Sequence, residues 1–220
     1  MRIVDLTVEL SGETYSPPSV NQPLGITVFT KEPGWQATKV DLMLHSGSHI
    51  DFSKHYRLDG ETAENIGLDR VSGEAVVVDL SDIEPNTAIT VEMLRARSPE
   101  FRPGDLILVR TGWTDRAWGE FPRYYIESPW CEPSAADWLV SHRPKAVGFD
   151  CFSEQAARWA DYQPADFHVH RIVGDAGAIL MQQLTGLGQL PVGERFQFFA
   201  PFLAVRGAEG APARFFAVLE

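Results

Sequence analysis

Two continuous apolar runs bounded by glycine constrain this chain more than any other feature: "GEAVVVDLSD" at 73–82 and "GDLILVRTG" at 104–112. Neither alternates polar with apolar. Each therefore suits a strand covered on both faces, as in a sheet packed against other elements on either side. "KAVGFDCF" at 145–152 reads the same way. Helical patterns separate the runs. "TVEMLRARS" (90–98) opens on Thr90 as an N-cap, and "SAADWLVSH" (134–142) spaces Ser134 and Asp137 like a capping box. His142 falls at the end of that second helix, where it partners the helix dipole.

Both ends of the chain are β-rich. "RIVDLTVEL" (2–10), "GITVFTK" (25–31) and "ATKVDLMLH" (37–45) alternate with a period of two, and the Gly/Pro/Ser/Asn-loaded stretch after the first of them is a loop. "FQFFAPFLAV" (196–205) and "ARFFAVLE" (213–220) are late strands joined by the turn-forming "RGAEGAP". Strand–helix–strand order flanked by β-rich ends predicts a mixed α/β fold. No repeat, low-complexity tract or linker divides the 220 residues, so one domain over 1–220 is expected.

A formal net charge of -11 argues against nucleic-acid and anionic-membrane partners, since both require a basic face. The opening "MRIVDLTVEL" lacks a charged n-region followed by a long apolar run, so no signal peptide is expected, and no run is long enough to span a bilayer. Cys131 and Cys151 form no CxxC pair. They read as reduced thiols, and the expected location is cytoplasmic.

The chemistry concentrates in "HSGSHIDFSKH", which holds His45, His49, Asp51 and His55 within eleven positions. Imidazole and carboxylate together suit Zn²⁺, Mn²⁺ or Fe²⁺. Ser46 and Gly47 argue against a helix here; a strand end with a sharp turn at Gly47 fits better. In an extended chain His49 and Asp51 then project to the same side. His55 follows four residues later, close enough to face the site without ligating it. Spacing alone leaves two readings, a metal site or a solvated polar loop. Burying four such groups without a cation would be costly.

The same stretch resembles the HxGTHxDxPxH signature of the cyclase/kynurenine formamidase-like family of metal-dependent hydrolases, which includes isatin hydrolases. "VDLTVELS", "GDLILVRTGW", "VGFDCFS" and "GERFQFFAPFLAVRGAEGAPARFFAV" are similar to further segments of that family, so the likeness runs over nearly the whole chain. The resemblance implies a swivelling β/β/α domain, a sheet-rich core with external helices. It makes His45, His49 and Asp51 metal ligands and His55 the general acid/base. Ser48 stands for the motif's Thr and keeps the hydroxyl; Ser53 stands for Pro and loosens the turn.

The resemblance also implies a further histidine and, twelve residues on, a glutamate. Here His170 takes the first position and Gln182 the second. A neutral amide is a poorer ligand than a carboxylate and does not balance a second dication. One divalent ion, Mn²⁺ or Zn²⁺, is therefore expected, with His170 and Gln182 lining the site or contacting substrate. His168 would share the face of His170 if "HVH" is extended. What the resemblance implies in function is a hydrolase for an amide, lactam or related C–N bond of an aromatic small molecule. A polyketide-type cyclase and a non-catalytic metal- or ligand-binding member are the alternatives. Tyr15, Trp35 and Trp113 are candidates for an aromatic substrate pocket, and a homodimer or homotetramer is expected.

Overall fold

The computed structural model describes residues 1–159 and 161–220. In chain order the first part carries β1 (Arg2–Asp5), the hairpin of β2 (Gly25–Lys31) and β3 (Trp35–Asp41), and the short β4 (His49–Asp51). The middle runs β5 (Ser72–Asp79), β6 (Ala88–Ile89), α1 (Val91–Arg97), β7 (Leu106–Arg110), α2 (Trp113–Ala117), α3 (Arg123–Ile126), β8 (Trp130–Cys131), α4 (Pro133–Ser141) and β9 (Ala146–Phe149). The last part holds α5 (His168–Asp175), β10 (Ile179–Gln182), β11 (Phe196–Phe199), β12 (Gly210–Pro212) and β13 (Phe216–Leu219).

The main sheet has the order β1-β13-β11-β5-β7-β9-β10-β4-β12. Its centre, β5-β7-β9-β10, is parallel, and both wings are antiparallel. The apolar runs form that parallel centre because they alone can lose water on both faces. Along β5 and β7, Ala75, Val77, Leu106 and Leu108 enter one core, while Val76, Val78, Ile107 and Val109 enter the other. The first core lies inside the curl of the sheet, where Leu6, Phe52, Phe198 and Phe215 from the wings fill it. The second is covered by helices through Leu94, Trp113, Tyr124, Leu139 and Val169. Full burial of each such side chain stabilises by roughly 1.5–3 kcal/mol. At the parallel centre's edge, buried Asp150 accepts from Thr111 N and Oγ1, both at 2.6 Å, and from Gly112 N at 2.8 Å, tying the end of β9 to β7.

Four local expectations change. The opening strand stops at Asp5, and Thr7 makes only a single bridge to Leu184. The second long helix starts one residue earlier, at Pro133 with Glu132 as N-cap; Ser134 lies inside the first turn. Proline's fixed φ suits the first helical position and sets that start. "RGAEGAP" is not only a turn: Gly210–Pro212 leave the β11/β13 pair and dock as β12 beside β4 at the far edge. "HVH" opens α5 rather than an extended segment, and Gln182 lies on a strand. Thr90 does cap α1, accepting from Met93 N at 3.4 Å, and His142 bonds the Trp138 carbonyl at 2.9 Å where α4 ends.

The β2/β3 hairpin stands apart from the main sheet, and six of its seven residues on each strand are exposed or all are. One face carries the pairs Ile26–Val40, Val28–Thr38 and Thr30–Gln36, with no charge among them.

Gly148, in the middle of β9, marks where the centre is packed most tightly. A Cβ there would lie 2.9 Å from Leu108 Cδ2 and 3.3 Å from Leu184 Cδ1, both fully buried. Gly148→Ala is expected to lower stability by about 1–3 kcal/mol, as overpacking does. Chemical denaturation measures it, and an unchanged midpoint would show that the sheet yields at this point.

Candidate metal centre

β4 is held on both sides, with His49 opposite Gln182 of β10 and Pro212 of β12, and Asp51 opposite Leu180 and Gly210. This pairing fixes which way each side chain points. Ile50 enters the core inside the curl, so His49 and Asp51 face the helix side together. His45 returns to them through a turn at Gly47, whose φ of 69° is glycine territory. His55 follows on a short 3₁₀ turn, Ser53–His55, and its ring stacks on that of His45 with centroids 4.0 Å apart. His170 arrives from the first turn of α5.

The result is a compact set of donors. Single ligand atoms of His45, His49 and Asp51 lie within 4.8 Å of one another, as do those of Asp51, His55 and His170, and those of His45, His55 and Glu209. Asp51 is the hub. Its Oδ1 is 2.7 Å from His45 Nδ1 and 3.5 Å from His49 Nε2. Its Oδ2 is buried without a hydrogen-bond partner among the described residues, the nearest imidazole nitrogen being His170 Nε2 at 3.4 Å. An orphaned carboxylate oxygen among buried imidazoles is what a divalent cation would satisfy, so the residues present fit the ion.

Hydrogen bonds set the protonation of each ring. His49 Nδ1 donates to the Gly47 carbonyl at 2.7 Å, which leaves the Nε2 lone pair facing Asp51. Burial pushes His49 down to about 4, so it is neutral and ready to ligate. Desolvation, with the like-charged rings of His45, His170 and His49 outweighing the pull of Asp51, lowers His55 to about 3. Burial opposes charge on His45, but Asp51 at one nitrogen and Glu209 at the other, 3.2 Å away, raise it to about 9. Burial is likewise outweighed at His170, where Asp51 and Glu154 raise the pKa to about 10. The histidines that partner it hold Asp51 well below the usual carboxylate range in spite of burial.

Of the residues singled out in the sequence, His45, His49, Asp51, His55 and His170 come together. Gln182 reaches the same corner, but its amide donates to Ser153 Oγ at 2.9 Å and accepts from Ser153 N at 3.3 Å. His168 points away and is exposed, since two residues along a helix turn the side chain by about 200°. Tyr15 lines a cavity beside the cluster. The other two aromatic candidates are elsewhere: Trp35 is exposed on the hairpin, and Trp113 is buried under α2, donating Nε1–H to the Tyr124 carbonyl at 2.7 Å.

Three contributors had no signal in the linear pattern. Buried Glu154 accepts from both the backbone N and Nδ1 of His170, at 2.9 and 2.8 Å, and so orients that ring. Glu209 precedes β12 and reaches His45 Nε2. Gly210 gives the His45 ring its space, because a Cβ there would lie 2.5 Å from His45 Cε1. All three depend on pairings distant in the chain, and Glu209 and Gly210 sit in a segment that reads as a turn.

Residues 4–156 match the Cyclase family model, described as "Putative cyclase". The chain is 25% identical to isatin hydrolase of Roseibium aggregatum over 191 residues, covering 80% of this chain and 72% of that protein. It is 29% identical to kynurenine formamidase of Erythrobacter litoralis over 114 residues, 51% of this chain and 47% of that protein. The crystal structure of an isatin hydrolase bound to the product analogue thioisatinate superposes with a TM-score of 0.85 at 22% identity, covering 99% of this chain and 92% of that one, which shows a shared fold.

Two outcomes are expected of the centre itself. A cation binding at His45 must expel the proton that Asp51 and Glu209 hold there, so uptake at pH 7 is expected to release about one proton. Affinity should climb as pH rises toward about 9. Titration calorimetry in buffers of different ionisation heat reads the release, and binding without proton exchange would remove His45 from the ligands. Gly210→Ala should displace the His45 ring and weaken metal binding by roughly tenfold or more, as loss of ligand support does, with the circular dichroism spectrum unchanged.

Proposed function

This chain belongs to the cyclase family, and from that premise we propose that it is a metal-dependent hydrolase of an amide, lactam or related C–N bond in an aromatic small molecule. The observation that carries the reading is Asp51 Oδ2, a buried acceptor with no hydrogen-bond partner among the described residues, set among His49, His55 and His170. Relatives named isatin hydrolase and kynurenine formamidase support hydrolysis as the reaction.

In this reading His45, His49 and Asp51 hold one divalent ion, for which their nitrogen and oxygen donors suit Mn²⁺ or Zn²⁺. When bound, such an ion acidifies a water and polarises a substrate carbonyl. Gln182 offers a neutral amide whose nitrogen faces Ser153 Oγ at 2.9 Å and His170 Nε2 at 3.5 Å, which supports one ion rather than two. His55 is the proton carrier. Stacked on His45, lining the cavity and exposed at the rim of the cluster, it is placed to carry a proton to the departing nitrogen. Glu154 fixes His170, and Glu209 completes the wall beside His45.

The protein is further proposed to work as a homo-oligomer in the cytoplasm. Free, buried Cys131 and Cys151 suit a reducing compartment. An isolated two-stranded hairpin is marginal in water, and the uncharged Ile26/Val28/Val40 face can meet its own copy without repulsion in an otherwise acidic chain.

Protein purified without chelator is expected to carry about one Mn²⁺ or Zn²⁺ per chain by elemental analysis. His55→Ala should keep the metal and lose turnover by roughly 10²–10⁴-fold; loss of the metal as well would make His55 a ligand instead. Labelled water should place one ¹⁸O in the product, and its absence would favour a ring-forming reaction. Ile26→Lys with Val28→Lys should yield a monomer in light scattering if the hairpin faces pair; an unchanged mass rejects that contact.

A further inference from the structure

The donors of the cluster fall into two sets that share His45 but use opposite sides of its ring. Nδ1 faces Asp51 Oδ1 at 2.7 Å and belongs with His49, deep in the corner. Nε2 faces outward to Glu209 Oε1 at 3.2 Å, and the His55 ring stacks on the same imidazole with centroids 4.0 Å apart. Single ligand atoms of His45, His55 and Glu209 lie within 4.8 Å of one another. Apart from His45, this outer set has no member in common with the inner one, and it includes neither His170 nor Gln182.

Access separates the two sets. His49 and Asp51 are buried, whereas the Glu209 side chain is 37% exposed and His55 stands at the rim. Both outer residues line the narrow space in front of the cluster, about 120 Å³ in volume. That space holds several waters, each of which needs roughly 10–15 Å³. Binding capacity at the rim is also unspent. Among the described residues the Glu209 side chain pairs with His45 alone, and His55 is held by ring contacts with His45 and His170 rather than by hydrogen bonds. Imidazole and carboxylate with water completing the shell suit Zn²⁺, while Mg²⁺ favours all-oxygen surroundings.

We propose that His55 and Glu209, backed by His45, form a second, outer site for Zn²⁺ whose occupation switches the protein off. A cation held there takes the imidazole lone pair of His55, so that ring no longer accepts or delivers a proton. It also stands in the narrow space that a scissile bond must enter. The effect on turnover rests on the reading of His55 as proton carrier in a hydrolase; the site itself does not. Because the outer donors are few and open to solvent, this ion exchanges readily, and the inner one stays in place.

Calorimetry on protein carrying one Zn²⁺ per chain, titrated with further Zn²⁺, tests the site apart from turnover. Wild type is expected to take up one more ion, bound about 100-fold more weakly than the first, and none when Mg²⁺ is the titrant. Glu209→Gln and His55→Ala should each weaken the outer ion by roughly tenfold or more, with the inner ion still present by elemental analysis. His55 also groups with Asp51 and His170, so His170→Asn serves as the control and should leave the outer affinity within about threefold. Absence of a second ion in wild type overturns the proposal, as does a second ion that survives in Glu209→Gln and disappears in His170→Asn. If His55→Ala does not fold, Glu209→Gln alone carries the reading, since its side chain is open to solvent. With formanilide as substrate, excess Zn²⁺ should halve turnover at the dissociation constant of the outer ion, and at about tenfold higher concentration in Glu209→Gln. Turnover that ignores a bound second ion overturns the switch. Two bound ions in a protein that cleaves no amide keep the outer site and count against the hydrolase reading.

Discussion

A carboxylate buried with one oxygen unpaired is among the more expensive things a fold can contain, and Asp51 is such a group. Its cost, several kcal/mol for an uncompensated buried ion, has to be met by what surrounds it. Around it stand four imidazoles, two of them charged by further carboxylates at Glu154 and Glu209. Positive charge on His45 and His170 balances Asp51 in the metal-free protein, and a cation would take over that balance. His45, His49 and His170 each have a second partner that fixes the ring's orientation, while His55 is stacked on His45.

The sheet exists in the form it does to place this group. β4 has only three residues, too few to hold a geometry alone, and it gains rigidity from ladders on both sides. One ladder comes from β10, at the edge of the parallel centre. The other comes from β12, delivered from far along the chain. Their agreement makes Ile50 face the core and His49 and Asp51 face the helices. α5 then closes the corner with His170, and Glu154, which follows β9, locks that ring. The donor cluster sits where three remote segments meet, and the parallel centre, tied by Asp150 to Thr111 and Gly112, is the base they share.

Much of this was legible in advance, and the misses have physical causes. The buried strands declared themselves by lacking alternation, and Thr90 by its hydroxyl at a helix start. His45, His49 and Asp51 were grouped by their spacing, which in a turn and strand is nearly a distance. Trp35 and Trp113 were drawn to the pocket only by being aromatic, a property that serves a core or an exposed arm equally. "HVH" became helical because burial of Val169 and His170 against the sheet outweighed any local preference. "RGAEGAP" carries turn residues because it does turn, yet its last part also pairs as a strand, and the partner is some 160 positions away.

Residue order by itself determined the periods, the Thr90 cap and the closeness of His45, His49 and Asp51, because those depend on neighbours within a few positions. Tertiary structure alone decided that Glu209 would face one side of His45, that Glu154 would orient His170, and that an aromatic cavity would open beside the cluster. Each is a contact across a long loop of chain. Its free energy comes from desolvation and charge in a corner that exists only once the sheet has closed.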